Sequence, residues 1–593
     1  MSAKFAFASL CRLTLSGVAA CLLITACGGG GGGGSTPAAT GNGTTDPDSR
    51  LQISAGMIPG NLDDSYRFLT QASFGPTADQ VARVNKIGYD NWIDEQFSMH
   101  LQSTHLQMVD QSAATLGTAT PNPWNVNYSW WTHAVKDPAQ LRQRVAFALS
   151  EIFVVSTVTV DNGRAVASYL DMLTDKADGT FRDLLEAVAL HPAMGQYLSH
   201  LANRKEDPTT GRVPDENFAR EVMQLFSIGL YELDDSGNPR LVNGVPVETY
   251  NADDIKGMAK VFTGFSWNWP SARSALDWWL CFWRGSQCRD DAQDITQMSG
   301  YAAEHSTSVK QFLGVTVPAQ STANPSASLR IALDRLASHP NTAPFISKQL
   351  IQRLVTSNPS NQYVSDITQV FRATQGNLHA VVKAILLHNE ARQPDAAAMN
   401  TYGKLREPIL RLTHLLRAMP HASANYVHTA NNGALPFYLM SDTSDPSTGV
   451  GQAPMRSPSV FNFFRPGYKA PQTQMSAQDK VAPEMQIMSE TSVLYYASSL
   501  AQMLEQGIGQ WNSQTGFDIQ FDLSQWYGLV NTPGDLLDAV SRTLLGHVLP
   551  TDARAEAIAS IAAMPVGNPN ERTQCIRAAV LLVAVSPSFI VQQ

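Results

Sequence analysis

Residues 215–229 read Asp-Glu-Asn-Phe-Ala-Arg-Glu-Val-Met-Gln-Leu-Phe-Ser-Ile-Gly and show most clearly how this chain folds. Four apolar side chains recur at helical spacing and form one face, namely Phe218, Val222, Leu225 and Phe226. Asp215 is placed to cap the first turn, and Gly229 is placed to end the helix. The stretch therefore predicts an amphipathic helix that buries one face against a core.

The same helical period dominates the chain from Asp63 onward. Apolar residues recur at i, i+3, i+4 and i+7 in further segments. These segments are residues 140–155, 181–190, 329–336, 342–355, 378–387, 405–419, 484–504, 533–545, 552–564 and 575–585. Strand signals are few, and the strongest is the Asn-Gly pair between apolar residues in 241–247. We therefore expect residues 63–593 to form a mainly α fold, a large multi-helix body with a small β-hairpin ribbon and long aromatic-rich loops.

Two His-Pro pairs, His191-Pro192 and His339-Pro340, each stand between two predicted helices. Proline fits the first position of a helix and disfavours helix in the residue before it. We expect each pair to form a junction between helices, with a structural role for its histidine.

The helix predicted at 215–229 also carries a polar stripe. Asn217, Glu221 and Gln224 lie at i, i+4 and i+7, and Arg220 flanks them. Such a stripe can act as a catalytic site, with Glu221 and Asn217 as catalytic residues and Arg220 and Gln224 as binding residues. It can equally be a buried polar network that fastens helices together, or a solvated face.

Five blocks of the chain, taken together, resemble one bacterial family, and the sequence Asn-Phe-Ala-Arg-Glu at 217–221 is among the most specific. The blocks are residues 68–77, 217–229, 250–265, 305–314 and 586–589. They are similar to the domain of unknown function numbered 1800. The resemblance implies a helical, exported protein without an established activity, often encoded beside an exported sulfatase-like protein. Ser306 stands where the family has Asp and Gln224 where it commonly has Glu, which weakens a metal or acid–base site at those positions.

His305 follows Glu304 and precedes a segment with Lys310 that we expect to be helical as far as Gly314. Paired with Glu221, its imidazole would give a carboxylate–imidazole unit, the minimal set for acid–base or metal chemistry. The cofactor stays open, and a divalent metal would fit such a pair. The alternative is a loop histidine whose ring is satisfied by structural hydrogen bonds.

A cluster of tryptophans lies within residues 267–283. Its members are Trp267, Trp269, Trp278, Trp279 and Trp283. Cys281 and Cys288 flank the end of this stretch, and an exported protein meets an oxidising compartment, so we expect a disulfide between them. A clamped aromatic loop can serve as a stacking platform for sugar rings or another apolar ligand. It can also simply supply its own small core.

A second aromatic patch allows the same two interpretations. It comprises Trp124, Tyr128, Trp130 and Trp131. We expect the irregular apolar segment 457–466 to be a buried loop that lines the core. Cys575 lies on an apolar helix, which predicts a buried thiol.

Residues 1–26 are typical of a lipoprotein signal peptide, because basic residues precede an apolar stretch too short to span a bilayer as a stable helix. The stretch ends at Ile24-Thr25-Ala26-Cys27, which resembles the bacterial lipobox and implies lipidation of Cys27. Residues 27–62, rich in Gly, Ser and Thr, predict a flexible tether. Gly28 implies sorting to the outer membrane of a Gram-negative bacterium. The alternative is an ordinary cleaved signal followed by a disordered N-terminus.

Composition excludes further function classes. Only 16% of the residues are charged and the formal net charge is −9, whereas nucleic-acid binders carry a basic patch. We therefore expect no nucleic-acid partner. The sequence also lacks the GxSxG, HExxH, CxxC and GxxxxGK motifs, which disfavours familiar hydrolases, zinc proteases and NTPases.

Three functional hypotheses follow from these features. The first is a lipid-anchored protein that binds a polysaccharide or a partner protein at the cell envelope, without chemistry of its own. The second is a hydrolase acting on an exported polymer, with Glu221 as base or metal ligand and His305 as its partner. The third is an assembly factor for a co-exported sulfatase-like protein.

Overall fold

The computed structural model describes residues 57–269, 275–285, 288, 291–394 and 401–593, with the side chains of 275–278 left aside. The predicted signal peptide, Cys27 and the tether up to residue 56 lie outside the described residues, as does the side chain of Trp278. The described residues, from Met57 onward, fall into one compact unit.

Many of the helices begin where the sequence supplies a side chain that accepts a hydrogen bond from the first turn. Thr104 and Asn568 do so within capping boxes completed by Gln107 and Glu571. The helices as far as residue 282 are α1 (Leu62–Ala72), α2 (Ala78–Ser98), α3 (His105–Leu116), α4 (Pro123–Lys136), α5 (Gln140–Ser150), α6 (Gly163–Asp175), α7 (Phe181–Leu190), α8 (Pro192–Tyr197), α9 (Asn217–Gln224), α10 (Ala252–Val261) and α11 (Ala275–Phe282). Those that follow are α12 (Pro325–Ala337), α13 (Thr342–Leu354), α14 (Asn361–Ala373), α15 (Leu378–Leu387), α16 (Asn389–Arg392), α17 (Pro408–Ala418), α18 (Ala424–Asn431), α19 (Gln474–Ala477), α20 (Glu490–Gln506), α21 (Pro533–Leu545), α22 (Thr551–Ala562), α23 (Pro569–Ala584) and α24 (Pro587–Ile590).

The mainly α prediction is confirmed, and α7, α15 and α21 match their predicted bounds. Other bounds shift where proline decides the first turn. The segment predicted at 405–419 begins as a helix only at Pro408, and the one predicted at 575–585 begins earlier, at Pro569. The long helix predicted at 484–504 starts at Glu490, after a short 3₁₀ turn at Pro483–Gln486.

The helix predicted around Lys310 is wrong, because these residues form a β-hairpin. Strands β5 (Lys310–Phe312) and β6 (Val315–Val317) pair antiparallel across a turn in which Leu313 and Gly314 both have positive φ. The backbone N–H of Leu313 also donates to the Asp254 carboxylate of α10 over 2.7 Å, which holds the turn against that helix.

The remaining strands form small antiparallel sheets. They are β1 (Leu241–Val242) with β2 (Val245–Pro246), β3 (Phe265–Ser266) with β4 (Ser299–Gly300), β7 (Lys404–Leu405) with β11 (Val591–Gln592), and β8 (His421–Ser423) with β9 (Ile508–Asn512) and β10 (Gly516–Phe521) in the order β8–β10–β9. The first pair is the hairpin that the Asn-Gly turn predicts, and both turn residues have positive φ.

Two hydrophobic cores share helix α17. The larger core includes Ile409 and Leu416 of that helix, packed with helices from the N-terminal two thirds of the chain. Leu415, on its other face, belongs to the second core, built mainly by α20–α24. Cys575 is fully buried in this second core, as its apolar helix predicts. No helix within the described ranges is long and apolar enough to cross a membrane.

Both His-Pro pairs form the predicted junctions. The imidazole Nδ1 of His191 accepts a hydrogen bond from the backbone of Ala193, and that of His339 accepts one from Asn341, each at 3.2 Å. Each histidine thus helps to start the helix that follows it.

Candidate functional site

Helix α9 presents the polar stripe of the sequence, but its members have different surroundings. The capping position of the helix is Glu216, whose side chain makes no capping hydrogen bond, so the predicted cap at Asp215 is wrong. Asp215 lies one residue earlier and accepts a hydrogen bond from the backbone N–H of Asn217 over 2.7 Å. Asn217 itself is exposed, and its amide contacts Ser199 at 3.4 Å. Arg220 is exposed and pairs with Glu216 at 3.4 Å. Asn217 and Arg220 therefore contact residues next to the start of α9.

Glu221 is the chemically unusual member of the stripe. The residue is 8% exposed, and its Oε2 accepts no hydrogen bond from the described residues. Burial raises the pKa of this carboxyl, against a smaller lowering by Arg220. Tyr250 lies nearby and donates to Gln224 at 3.3 Å, and burial together with the Glu221 charge raises the tyrosine pKa to about 12. The stripe thus forms a half-buried polar cluster with a carboxyl suited to holding a proton.

The structure does not bring His305 to this cluster. The ring is fully buried, with Nδ1 at 2.8 Å from the carbonyl of Thr263 and Nε2 at 3.0 Å from the hydroxyl of Ser328. Burial lowers the pKa of His305 to about 4, so the ring is neutral at pH 7. Both ring nitrogens of His305 therefore already have hydrogen-bond partners other than Glu221. The predicted carboxylate–imidazole pair is not formed.

A metal site also finds no support in these residues. Within the described ranges, no group of three or more His, Cys, Asp and Glu side chains is arranged to hold a metal ion. Neither Glu221 nor His305 is joined by the further ligands that a divalent metal needs.

Part of the tryptophan loop forms its own small core. Cys281 and Cys288 are joined in a disulfide, as predicted, and lie buried with Phe282 and Tyr301. Trp269 packs partly buried against this cluster. A further member, Trp267, is buried beneath the Arg284 guanidinium, which lies 4.3 Å from the ring centroid. These contacts give the loop a fixed interior.

The other described tryptophans of the loop face outward. Trp279 is 39% exposed and Trp283 is 48% exposed, with their ring centroids 6.0 Å apart. Arg204 lies over both rings, at 5.3 Å from the first centroid and 5.9 Å from the second. A buried carboxylate, that of Glu304, holds this guanidinium over 2.6 Å. We call Trp279, Trp283 and Arg204 the tryptophan surface.

The second aromatic patch divides in a similar way. Tyr128, Trp130 and Trp131 are buried, whereas Trp124 is 46% exposed and lines a cleft of about 390 Å³. The cleft is lined by Asn122, Pro123, Trp124, Asn127, Thr157, Asp161, Asp442, Ala453, Pro454 and Arg456. We call it the Trp124 cleft. The sequence shows the aromatic wall but not the cleft, because the opposite wall comes from a segment more than 300 residues away.

A buried ionic network lies behind that opposite wall. Lys404 pairs with Glu484 at 2.9 Å, and Gln452 donates to Glu407 at 2.7 Å. Glu151 accepts a hydrogen bond from Asn462 at 2.9 Å, and burial together with the Glu407 charge raises its pKa. The Asn462 amide thus fastens the irregular segment 457–466, which the sequence predicts to be a buried loop. Only Ser457, Asn462 and Phe464 of this segment are buried, whereas Pro458, Ser459 and Arg465 are exposed. Its charged partners carry no sequence signal, because each lies far away along the chain.

Comparison with known proteins gives one result. A family model described as "Protein of unknown function (DUF1800)" matches residues 67–591, nearly the whole chain. No curated protein and no solved structure matches the chain. The match covers helices α2 to α24 and the candidate sites that they carry. The chain therefore belongs to this family of proteins of unknown function.

Proposed function

We propose that this protein is a lipid-anchored binding protein of the cell envelope that holds polysaccharide on the tryptophan surface. The observation that carries the proposal is the outward exposure of Trp279 and Trp283 on a loop whose other described tryptophans are buried (Trp267) or partly buried (Trp269). Large aromatic side chains that stay exposed side by side are typical of a binding surface. The lipobox at Cys27 and the Gly-rich tether support the envelope location.

The chemistry of the surface suits a sugar polymer. An indole ring offers a flat apolar face with a polar edge, which matches the apolar face and hydroxyl rim of a pyranose ring. Arg204 donates from Nε and Nη2 to Glu304 over 2.6 and 3.2 Å, which restrains the side chain before a ligand arrives. Its remaining N–H groups can donate to ligand hydroxyls. The disulfide and the small core around it hold this part of the loop in place, which favours exposure of the two rings to a ligand.

A hydrolase built on Glu221 has weaker support. The raised pKa of this carboxyl suits acid–base chemistry, but the imidazole proposed as its partner is already satisfied elsewhere. Capture of an exported sulfatase-like protein is the other candidate, and it would use the same exposed rings.

The tryptophan surface is tested by replacing Trp279 and Trp283 together with alanine. We expect the double variant to lose at least about tenfold in affinity for insoluble polysaccharide and on a glycan array, because the stacking rings are gone. Trp511→Ala is the matched control, since Trp511 is 65% exposed and lies on strand β9.

The lipid anchor is tested separately. In cells that express the full chain, we expect Cys27→Ser to move the protein out of the membrane fraction.

Two results would count against the proposal. One is an unchanged glycan profile in a double variant whose circular dichroism spectrum matches that of wild type. The other is a profile without any glycan, accompanied by co-purification of a sulfatase-like protein that the double variant loses. The second result would identify the surface as a protein-docking site.

A further inference from the structure

The Trp124 cleft is separate in sequence and in composition from the tryptophan surface. Its volume of about 390 Å³ lies within the range of small-molecule sites, which is roughly 300–1,000 Å³. We infer that it binds a neutral sugar unit, with Trp124 as the stacking platform and Asn127 as a hydrogen-bond acceptor. The inference shares the ligand class of the proposed function but rests on different residues.

The backbone of Trp124 is held in place, although its side chain is exposed. It occupies the first turn of α4, and its backbone N–H donates to the Asn122 side chain over 2.9 Å. Asn122 and Asn125 complete a capping box around this turn. A ring that is fixed at its backbone and exposed at its face loses little conformational freedom when a ligand stacks on it.

Asn127 supplies an unused acceptor at the same cleft. Its amide nitrogen donates to the carbonyls of Met440 and Ser441 at 2.8 and 2.9 Å, which fixes the orientation of the side chain. The residue is only 8% exposed, yet its Oδ1 accepts no hydrogen bond from the described residues. A buried acceptor without a donor costs free energy, and a ligand hydroxyl would satisfy it after a small shift of the side chains that cover this oxygen.

The charges of the cleft favour a neutral ligand. Arg456 pairs with Asp442 over 2.9 Å, and Asp161 adds a second carboxylate. Two carboxylates against one guanidinium give a net charge of −1, which disfavours sulfated, phosphorylated or uronic-acid sugars. The same groups can donate to and accept from the hydroxyls of a neutral sugar.

The wall opposite Trp124 is already in place without a ligand. Thr157 donates through its backbone N–H and its hydroxyl to the Met455 carbonyl, at 2.8 and 2.9 Å. Ser156 donates to the Ser457 carbonyl over 2.7 Å. Met455 adopts a positive φ of 52°, which this pair of anchors maintains. The cleft is therefore largely preformed, as is usual for small-ligand sites.

The test uses the purified full chain and three named probes: cellobiose, maltose and a sulfated disaccharide. We expect at least one neutral probe to bind by isothermal titration calorimetry, and Trp124→Ala to weaken it at least about tenfold. Trp124→Phe, which keeps an aromatic ring, should retain most of the affinity. Trp511→Ala should bind as wild type does, because Trp511 does not line the cleft.

The variant with alanine at Trp279 and Trp283 separates this inference from the proposed function. If it binds the short probe normally while Trp124→Ala does not, the cleft is the site whatever happens with polysaccharide. The inference is overturned if neither neutral probe binds wild type, if the sulfated probe binds more tightly, or if folded Trp124→Ala binds like wild type. Loss of the probe only in the double variant would also overturn it while leaving the proposed function standing.

Discussion

His305 has an imidazole that could act in catalysis, but both of its ring nitrogens make structural hydrogen bonds. Its two ring nitrogens bond to Thr263 and Ser328, which lie 42 and 23 residues away along the chain. The sequence indicates that a histidine stands beside Glu304, but such long-range partners have no local pattern. The pairing with Glu221 was therefore beyond what spacing can predict, whereas the Cys281–Cys288 disulfide, seven residues apart, was within it.

We predict that His305→Ala destabilises the protein by roughly 1–3 kcal/mol without weakening the binding proposed for the tryptophan surface. The substitution leaves a buried carbonyl and a buried hydroxyl without a partner, and each unsatisfied group carries a desolvation cost. Urea unfolding followed by tryptophan fluorescence measures the change. His100→Ala is the control, because His100 is exposed. A variant as stable as wild type that has lost an activity would instead restore the catalytic interpretation.

Helices were more predictable than their contacts. Capping residues, prolines and the 3.6-residue period identified about half of the helices and placed several of their ends, since these signals act within a few residues. Helices α3, α4, α6, α10 and α14 were not predicted. The β5–β6 hairpin was missed because its turn is held by Asp254 of α10, far from it in sequence. The close approach of the two elements depends on Gly257, where an added Cβ would lie 1.7 Å from the Gln311 carbonyl oxygen.

We predict that Gly257→Ala costs at least about 3 kcal/mol of unfolding free energy, because backbone of β5 must move to admit the methyl group. Thermal unfolding followed by circular dichroism measures the loss. Gly528→Ala is the matched control, because a Cβ at Gly528 meets no atom within 4 Å. Equal stability of the two variants would show that α10 and β5 are further apart in solution.

The whole molecule keeps several buried histidines neutral. Partial or full burial lowers the pKa of seven histidines, of which His339 and His421 are half-buried; the pKa of His305, for example, falls to about 4. These are His105, His191, His200, His305, His339, His414 and His421. An unfolded histidine titrates near 6.5, so the unfolded chain binds more protons than the folded protein between about pH 6.5 and 4. Stability supplied by these groups is complete above pH 6.5 and is lost as the pH falls.

We therefore predict a lower urea midpoint at pH 5 than at pH 7, at constant ionic strength. Buried carboxyls such as Glu221 oppose this trend, because their raised pKa lets the folded state take up protons first. The histidines outnumber these carboxyls, so the net change should be a loss. A midpoint that rises or stays constant on acidification would mean that the histidines are more accessible to solvent than their burial indicates.

Helix α17 has a consequence for the order in which the chain assembles. One of its faces packs in the larger core. Leu415 and Met419, on the other side, pack against helices that begin more than 70 residues later in the chain. During synthesis, this second face stays open to water after the first has found its partners. A chaperone that recognises apolar surface could bind this face until α20–α24 are synthesised and pack against it.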